Sequence, residues 1–408
     1  MTTTFAYKVR DQSGKLIEGE LDADDATLVV GKLRQMGYTP IAVEAQNATK
    51  MKLKGDIKIP GMSARVKVKD VAVFSRQFAV MINSGLSLIR ALAILAEQTE
   101  NKELARVVGE VRLDVERGVS LSAAISKHPK VFSRLYIAMV RSGEVGGVLD
   151  AVLMRLADTI EAQVELRRKV KSAMTYPVVA LSICILISAA MLLFIVPQFK
   201  AIYVDLGGEL PLPTRVLISL SDMLKSYFLI VFLLVGVAVF LFKRWIKTEQ
   251  GRIKFDAFKL RMPVMGLLVR KTALARFSRT LAALTRSGVG ILEALDIVAE
   301  TAGNETVAIA LRETQSAVKR GDTLARPLEQ HEVFPAMVTQ MIAVGEETGA
   351  LDEMLDKIAD FYDQEVTATV DALTSLIEPL MIVVMGTIVG GMVISLYLPM
   401  FNIIKLIK

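Results

Sequence analysis

Apolar and polar positions along this chain of 408 residues follow three different periods. From Thr4 to Arg10 they alternate residue by residue, Asp11-Gln12-Ser13-Gly14 is rich in turn formers, and Leu16 to Leu21 alternates again, which predicts a β-hairpin. Asp24-Asp25 then opens a helical spacing (Ala26, Val29, Val30, Leu33, Met36) closed by Gly37, with a short strand at Ile41-Ala42-Val43. Residues 1–45 therefore read as a small α+β module, and the lysine-rich, turn-prone stretch 46–69 reads as a linker.

Beyond residue 70 the period lengthens to that of helices. Val73, Phe78, Val80 and Met81 fall at helical spacing, Asn83-Ser84-Gly85 ends the helix, and the next runs over Leu88–Glu97. Further helices are expected at roughly 103–117, 120–127, 132–142 and 147–170, so 70–171 reads as an antiparallel bundle of about six helices. The same text returns about two hundred residues later. Phe74-Ser75-Arg76 recurs as Phe277-Ser278-Arg279 and Gly85 as Gly288; Gly143-Glu144 recurs as Gly345-Glu346 and Pro177 as Pro379. Twelve identities fall in the 28 positions from Phe74 to Asn101, where chance gives about two. Residues 273–377 are thus a second copy of the first bundle.

The third pattern is apolar without interruption. No charge occurs between Lys171 and Lys200, between Lys225 and Lys243, or between Glu378 and Lys405, which predicts transmembrane helices at 172–199, 226–242 and 378–404. Pro177 and Pro379 suit the first turn of such a helix, and Pro197 and Pro399 a position just past its end. Basic residues crowd before the first span (Arg167, Arg168, Lys169, Lys171) and after the second (Lys243, Arg244, Lys247), so both flanks are expected in the cytoplasm. That orientation makes 200–225 an external loop, 243–272 a cytoplasmic connector and 405–408 an external tail. With no basic segment followed by an apolar core at its start, the chain is expected to keep its N-terminus in the cytoplasm.

Composition narrows the chemistry. The chain is 52% hydrophobic yet 23% charged, so polar modules alternate with spans. Its net charge of +6 comes with only 6% aromatic residues, which argues against direct nucleic-acid binding. The single Cys184 lies in an apolar run and the sequence has just two histidines, His128 and His331, so no metal site, disulfide or cofactor is expected. No phosphate-binding Gly-rich loop and no nucleophile motif is present, so the chain is not expected to be an enzyme.

The remaining candidates are structural or partner-contact residues. Asp352, Asp356, Asp360 and Asp363 form an acidic row at helical steps, matched in the first copy by Asp150, Asp158 and Glu161; it reads as a solvated face, a docking face or a cation site. Gly143 and Gly345 are expected to make tight helix-to-helix turns, with Glu144 and Glu346 accepting from the N-terminal N–H groups of the following helix. Gly386 and Gly390 would let two spans approach closely. Glu378 stands where the first copy has Tyr176, which suggests a cationic neighbour for the third span.

Phe74-Ser75-Arg76-Gln77-Phe78 with Ser84-Gly85, Arg141-Ser142-Gly143-Glu144, Ala173-Met174-Thr175-Tyr176-Pro177, Val344-Gly345-Glu346-Glu347-Thr348-Gly349, Ile377-Glu378-Pro379 and Leu398-Pro399-Met400-Phe401 together resemble the inner-membrane platform proteins shared by type IV pilus assembly and type II secretion. The resemblance spans essentially the whole chain. It implies a non-enzymatic scaffold whose partners are a hexameric cytoplasmic assembly ATPase, pilin or pseudopilin subunits, other inner-membrane assembly proteins, the lipid bilayer and a second copy of itself. Platforms of secretion or DNA-uptake systems are the near alternatives. A membrane transporter is the remote one, for which ionisable groups within the spans would be needed.

Overall fold

The computed structural model describes residues 3–10, 16–23, 25–45, 66–199, 211–263 and 265–406, in two compact units divided between Ser63 and Ala64. In the first unit β1 (Thr3–Arg10) is central, with β2 (Leu16–Ala23) and β3 (Thr39–Ala45) antiparallel on either side. Helix α1 (Ala26–Gln35) covers one face. Phe5 and Val9 sit four apart on β1, hence on one face of the sheet, and are buried with Val29 and Leu33 of α1. The register slips between Lys8 and Val9, opposite Pro40, which has no N–H to give the ladder. The expected hairpin turn and most of the expected linker lie outside the described residues.

The second unit is helical. Helices α2 (Val68–Asn83), α3 (Leu88–Gln98), α4 (Lys102–Glu116), α5 (Leu121–Ser126), α6 (Arg134–Gly146) and α7 (Leu149–Ala190) form the first bundle. Then come α8 (Leu212–Ile246) and α9 (Glu249–Arg261). The second bundle repeats the six as α10 (Met265–Arg286), α11 (Ile291–Thr301), α12 (Glu305–Lys319), α13 (Ala325–Glu329), α14 (Ala336–Thr348) and α15 (Leu351–Leu406). Equivalent side chains start equivalent helices. Asn101 accepts from the N–H groups of Glu103 and Leu104, and Asn304 from those of Thr306 and Val307.

Each bundle closes its first helix against its last, α2 on α7 and α10 on α15. Phe74 stacks on Phe78 at 5.6 Å between ring centroids, and Phe132 lies 4.8 Å from Tyr136; in the second copy Phe277 meets Phe334 edge-on at 5.2 Å. One continuous set of buried side chains runs through both bundles, from Val71 to Leu373. The seam between them is made by α6 and α7 lying on α10 and α11, and by α7 crossing α15.

Two boundaries differ from the sequence expectation. The bundle helix does not stop before Pro177. It continues through the proline to Ala190, then through one π-helical turn at Met191–Ile195 to Phe199. Likewise α15 passes through Pro379 without a break. A proline removes one donor, here the one that would meet the carbonyl of Ala173 or of Ser375, and such a residue is tolerated inside long apolar helices. At about 1.5 Å per residue, α15 with its 56 residues reaches about 84 Å. The second difference is at 200–225, expected as a loop, where the described part from Leu212 is already helix. Pro213 at the start supplies the fixed φ of a first turn. This part of α8 packs Leu217 and Ile218 against Leu192 and Val196 of the first long helix and Met392 and Leu396 of α15. Ser221 donates to the carbonyl of Leu192, and Thr214 to that of Ser395.

Among the described residues, two helices, Leu149–Phe199 and Leu351–Leu398, are long and apolar enough to cross a membrane.

Candidate functional site

The arginine of the repeated Phe-Ser-Arg motif stands on the first helix of each bundle, facing the last. Arg76 gives its Nε to Glu161 at 2.9 Å and an Nη2 to both Asp158 and Glu161 at 2.5 Å. Arg279 repeats the arrangement with Asp360 at 3.0 Å and with Asp363. Arg286 adds a third pairing, to Asp352 at 3.1 Å through Nε and to Asp356. The acidic row expected as a solvated, docking or cation-binding face is therefore the acceptor side of arginine clasps. The sequence reading missed this because the cations lie about 66 to 85 residues away in the chain. Asp150 is the exception: exposed, in the first turn of α7, with no partner among the described residues. Hydrogen bonds from Arg76 hold Glu161 below the ordinary carboxylate range, and those from Arg286 do the same for Asp352. The two clasped rows converge on the seam, where Arg155, Asp158, Arg279, Arg286, Asp356 and Asp360 line a cavity of about 220 Å3.

The glycine and glutamate pairs act differently from expectation. Gly143 and Gly345 lie inside α6 and α14, not in turns. A Cβ on Gly143 would stand 3.0 Å from Cβ of Val152, and one on Gly345 2.9 Å from Cα of Leu351, so these glycines let consecutive helices cross closely. The chain reverses four residues later, at Gly147 (φ 67°) and Gly349 (φ 73°), where only glycine adopts left-handed backbone without strain. Gly85 and Gly288 hold the corresponding positions after α2 and α10.

Glu144 and Glu346 cap a helix, but the one before rather than the one after. Glu144 accepts from the N–H groups of Leu121 and Ser122 at 2.5 and 2.9 Å, and Glu346 from those of Leu324 and Ala325 at 2.6 and 3.0 Å. A carboxylate at the positive end of a short helix is favourable. The separation of some 22 residues hid it from local sequence rules.

The membrane-edge candidates are less engaged. Pro177 is buried within the long helix, while Glu378 and Pro379 are exposed on α15, Glu378 with no ion pair among the described residues. Among the described residues nothing lies within 4 Å of a Cβ built on Gly386 or Gly390. Unforeseen from sequence was the polar seam. Arg134 pairs with Asp296 at 2.8 Å and Glu300 at 2.5 Å, Arg141 with Glu293, Ser142 donates to the carbonyl of Ser287, and Arg155 to that of Arg286 at 2.8 Å. These are surface-like charges whose partner could be found only once the bundles were docked.

The arrangement brings together clasps, caps and close helix crossings, each present in both copies, with the Arg286 clasp added in the second. It is a mechanical construction. Comparison with known proteins agrees with the duplication: the family profile described as type II secretion system (T2SS), protein F matches residues 74–197 and again 277–399, and the profile of that protein's N-terminal domain matches residues 1–44. The type IV pilus assembly protein PilC of Thermus thermophilus is 48% identical over 402 residues, covering 98% of both chains. PilC of Myxococcus xanthus is 43% identical, covering 98% of this chain and 95% of its own. The type II secretion system protein F of Pseudomonas aeruginosa is 34% identical over 99% of both. Matched twice by the family's repeat and once by its N-terminal domain, along nearly its whole length, this chain belongs to the type II secretion system protein F family.

Proposed function

We propose that this chain is the inner-membrane platform of a type IV pilus assembly machine, a non-enzymatic scaffold that couples a cytoplasmic hexameric ATPase to the insertion of pilin subunits into a filament. The observation that carries the reading is the continuity of the two long helices. Each runs from a clasped bundle into an apolar segment without a loop, so a displacement of the bundle is transmitted to the membrane part rather than absorbed. Similarity along nearly the full chain to pilus assembly proteins at 48% and 43% identity favours the pilus among the machines of this family.

In this reading the chain crosses the membrane three times, at 172–199, 226–242 and 378–404. The exposed Leu233, Leu234 and Phe240 on α8 support the middle crossing, since such side chains need lipid or protein around them. The basic flanks support a cytoplasmic N-terminus and cytoplasmic bundles. Glu378, at the edge of the third span, would face a cationic group on a partner.

Affinity purification of the full chain from native membranes tests the proposal. Recovery of the assembly ATPase and pilins, with no ATP hydrolysis by the chain alone, is expected; absence of both partners overturns it. The secretion platform is the second reading, favoured by the relative that covers 99% of both chains, and pseudopilins in place of pilins would identify it.

A further inference from the structure

A cavity of about 370 Å3 opens beside the stretch of α7 that precedes its apolar run, facing α9, α10 and the Gly303-Asn304 turn. Leu166, Met265 and Leu268 make it partly apolar, and four cations line it: Arg167, Lys171, Lys259 and Arg276. Lys259 is paired with Asp256 at 2.5 Å. The other three have no acidic partner among the described residues, and no acid lines the cavity. Arg276 is half-buried, and its guanidinium lies 2.5 Å from where a Cβ on Gly303 would stand, so the glycine makes room for it. Burial, then the like charge of Arg167, holds Arg276 below its ordinary pKa. In the first copy Val73 and Glu100 occupy the aligned positions, in a groove whose lining mixes Lys69 with Asp70 and Glu100.

Two guanidiniums and an ammonium gathered without counter-charge around a partly apolar cavity suit a phosphate. Lys171 is also the last charge before the apolar run that ends at Lys200, which puts the cavity at headgroup level on the basic flank of the membrane. We propose that this cavity binds a phosphate group, that of an anionic phospholipid headgroup. The lipid source rests on the membrane crossing of α7. Native mass spectrometry of the full-length chain in mild detergent, titrated with phosphatidylglycerol, phosphatidylcholine or inorganic phosphate, tests it. One phosphatidylglycerol should bind in preference to phosphatidylcholine, about tenfold more weakly in Arg276→Gln and also weakened in Arg167→Gln, whose side chain is on the outer helix. Equal binding of the two lipids, or unchanged binding in both variants, overturns the site. Inorganic phosphate displacing the lipid at equal concentration overturns the lipid source, while loss of ATPase or pilin recovery would bear on the platform reading alone.

The meeting of the bundles carries a second inference, because it is asymmetric. The first bundle uses α6 and α7, and the second uses α10 and α11. Burial at aligned positions follows this. On α10 and just past its end, Thr280, Ala283 and Ser287 are at most 9% exposed, but the aligned Gln77 and Val80 on α2 and Ser84 just past it are exposed, Val80 at 48%. Conversely Leu135 and Thr159 are 3% and 4% exposed, but the aligned Met337 and Phe361 are 36% and 43%. Ser142 meets the carbonyl of Ser287, while the aligned Val344 is 50% exposed. The two faces left over are thus the counterparts of a pair that already fits; on the α14–α15 face Phe361 and Val344 stand where the seam has Thr159 and Ser142, and on the α2 face Val80 stands where it has Ala283.

We infer that they join across chains, the α14–α15 face of one copy (Met337, Val344, Phe361) lying on the α2–α3 face (Val80, Ser84, Ile89) of a second copy. Such a contact is head-to-tail, so every copy uses both faces. Cysteine crosslinking of the full chain in membranes tests it, in a Cys184→Ser background with Ser84→Cys and Val344→Cys, the counterparts of Ser287 and Ser142. Co-expressed single variants should give a dimer-sized disulfide product absent when either is expressed alone. A homodimeric product from Val344→Cys alone, a product with another protein instead, or no product at all overturns the inference.

Discussion

Glu144 and Glu346 occupy equivalent places and accept the same pair of N–H groups, so they should fail in the same way. Replacing either by alanine leaves the first two donors of a short helix without a protein acceptor, at a cost of about 1–2 kcal/mol. Thermal unfolding of the full chain in detergent should show a lowered midpoint for both. Gly345→Ala should be more damaging than Gly143→Ala, because its Cβ would press on the backbone of Leu351 at 2.9 Å whereas the nearest atom for Gly143 belongs to the Val152 side chain at 3.0 Å. Overpacking of this kind costs about 1–3 kcal/mol, and a Gly345→Ala chain as stable as the parent would contradict the close crossing. The importance of these residues was legible from their recurrence. Their roles were not, since each touches a segment that no local rule connects to it.

The elements are where the sequence spoke most clearly. Helical spacing and the glycine-bearing breaks between helices indicate about six helices per copy, the number found. What periodicity could not reveal was continuity: prolines at 177 and 379 read as starts, yet the helices pass through them, as long apolar helices allow. The clasps between first and last helices lead to a pH prediction. Glu161 and Asp352 have depressed pKa values in the folded chain, so they bind protons less readily folded than unfolded. Their contribution is complete above the ordinary carboxylate pKa, about 4, and is lost as pH falls through the folded values. The unfolding midpoint should therefore be level from about pH 7 to 5 as far as these groups decide it, and decline below about 4. Arg76→Gln and Arg286→Gln should shrink that decline, modestly, because the pairs are partly exposed. An identical acid profile in both variants would remove the clasps from the account.

At the scale of the whole molecule, two copies of one bundle are docked into a single body and each is drawn out into an apolar helix. Labelling should reflect the proposed crossings. A cysteine introduced at Lys254, on the exposed side of α9, should resist an impermeant reagent applied to intact cells and react once the membrane is opened. The central claim is that this body is the platform on which filaments are built. The most direct measurement is electron microscopy of surface filaments in a strain lacking the chain, with pilin quantified in the membrane fraction. Filaments should be absent while membrane pilin persists, and return when the chain is restored. A deletion strain bearing filaments in normal number would contradict the account.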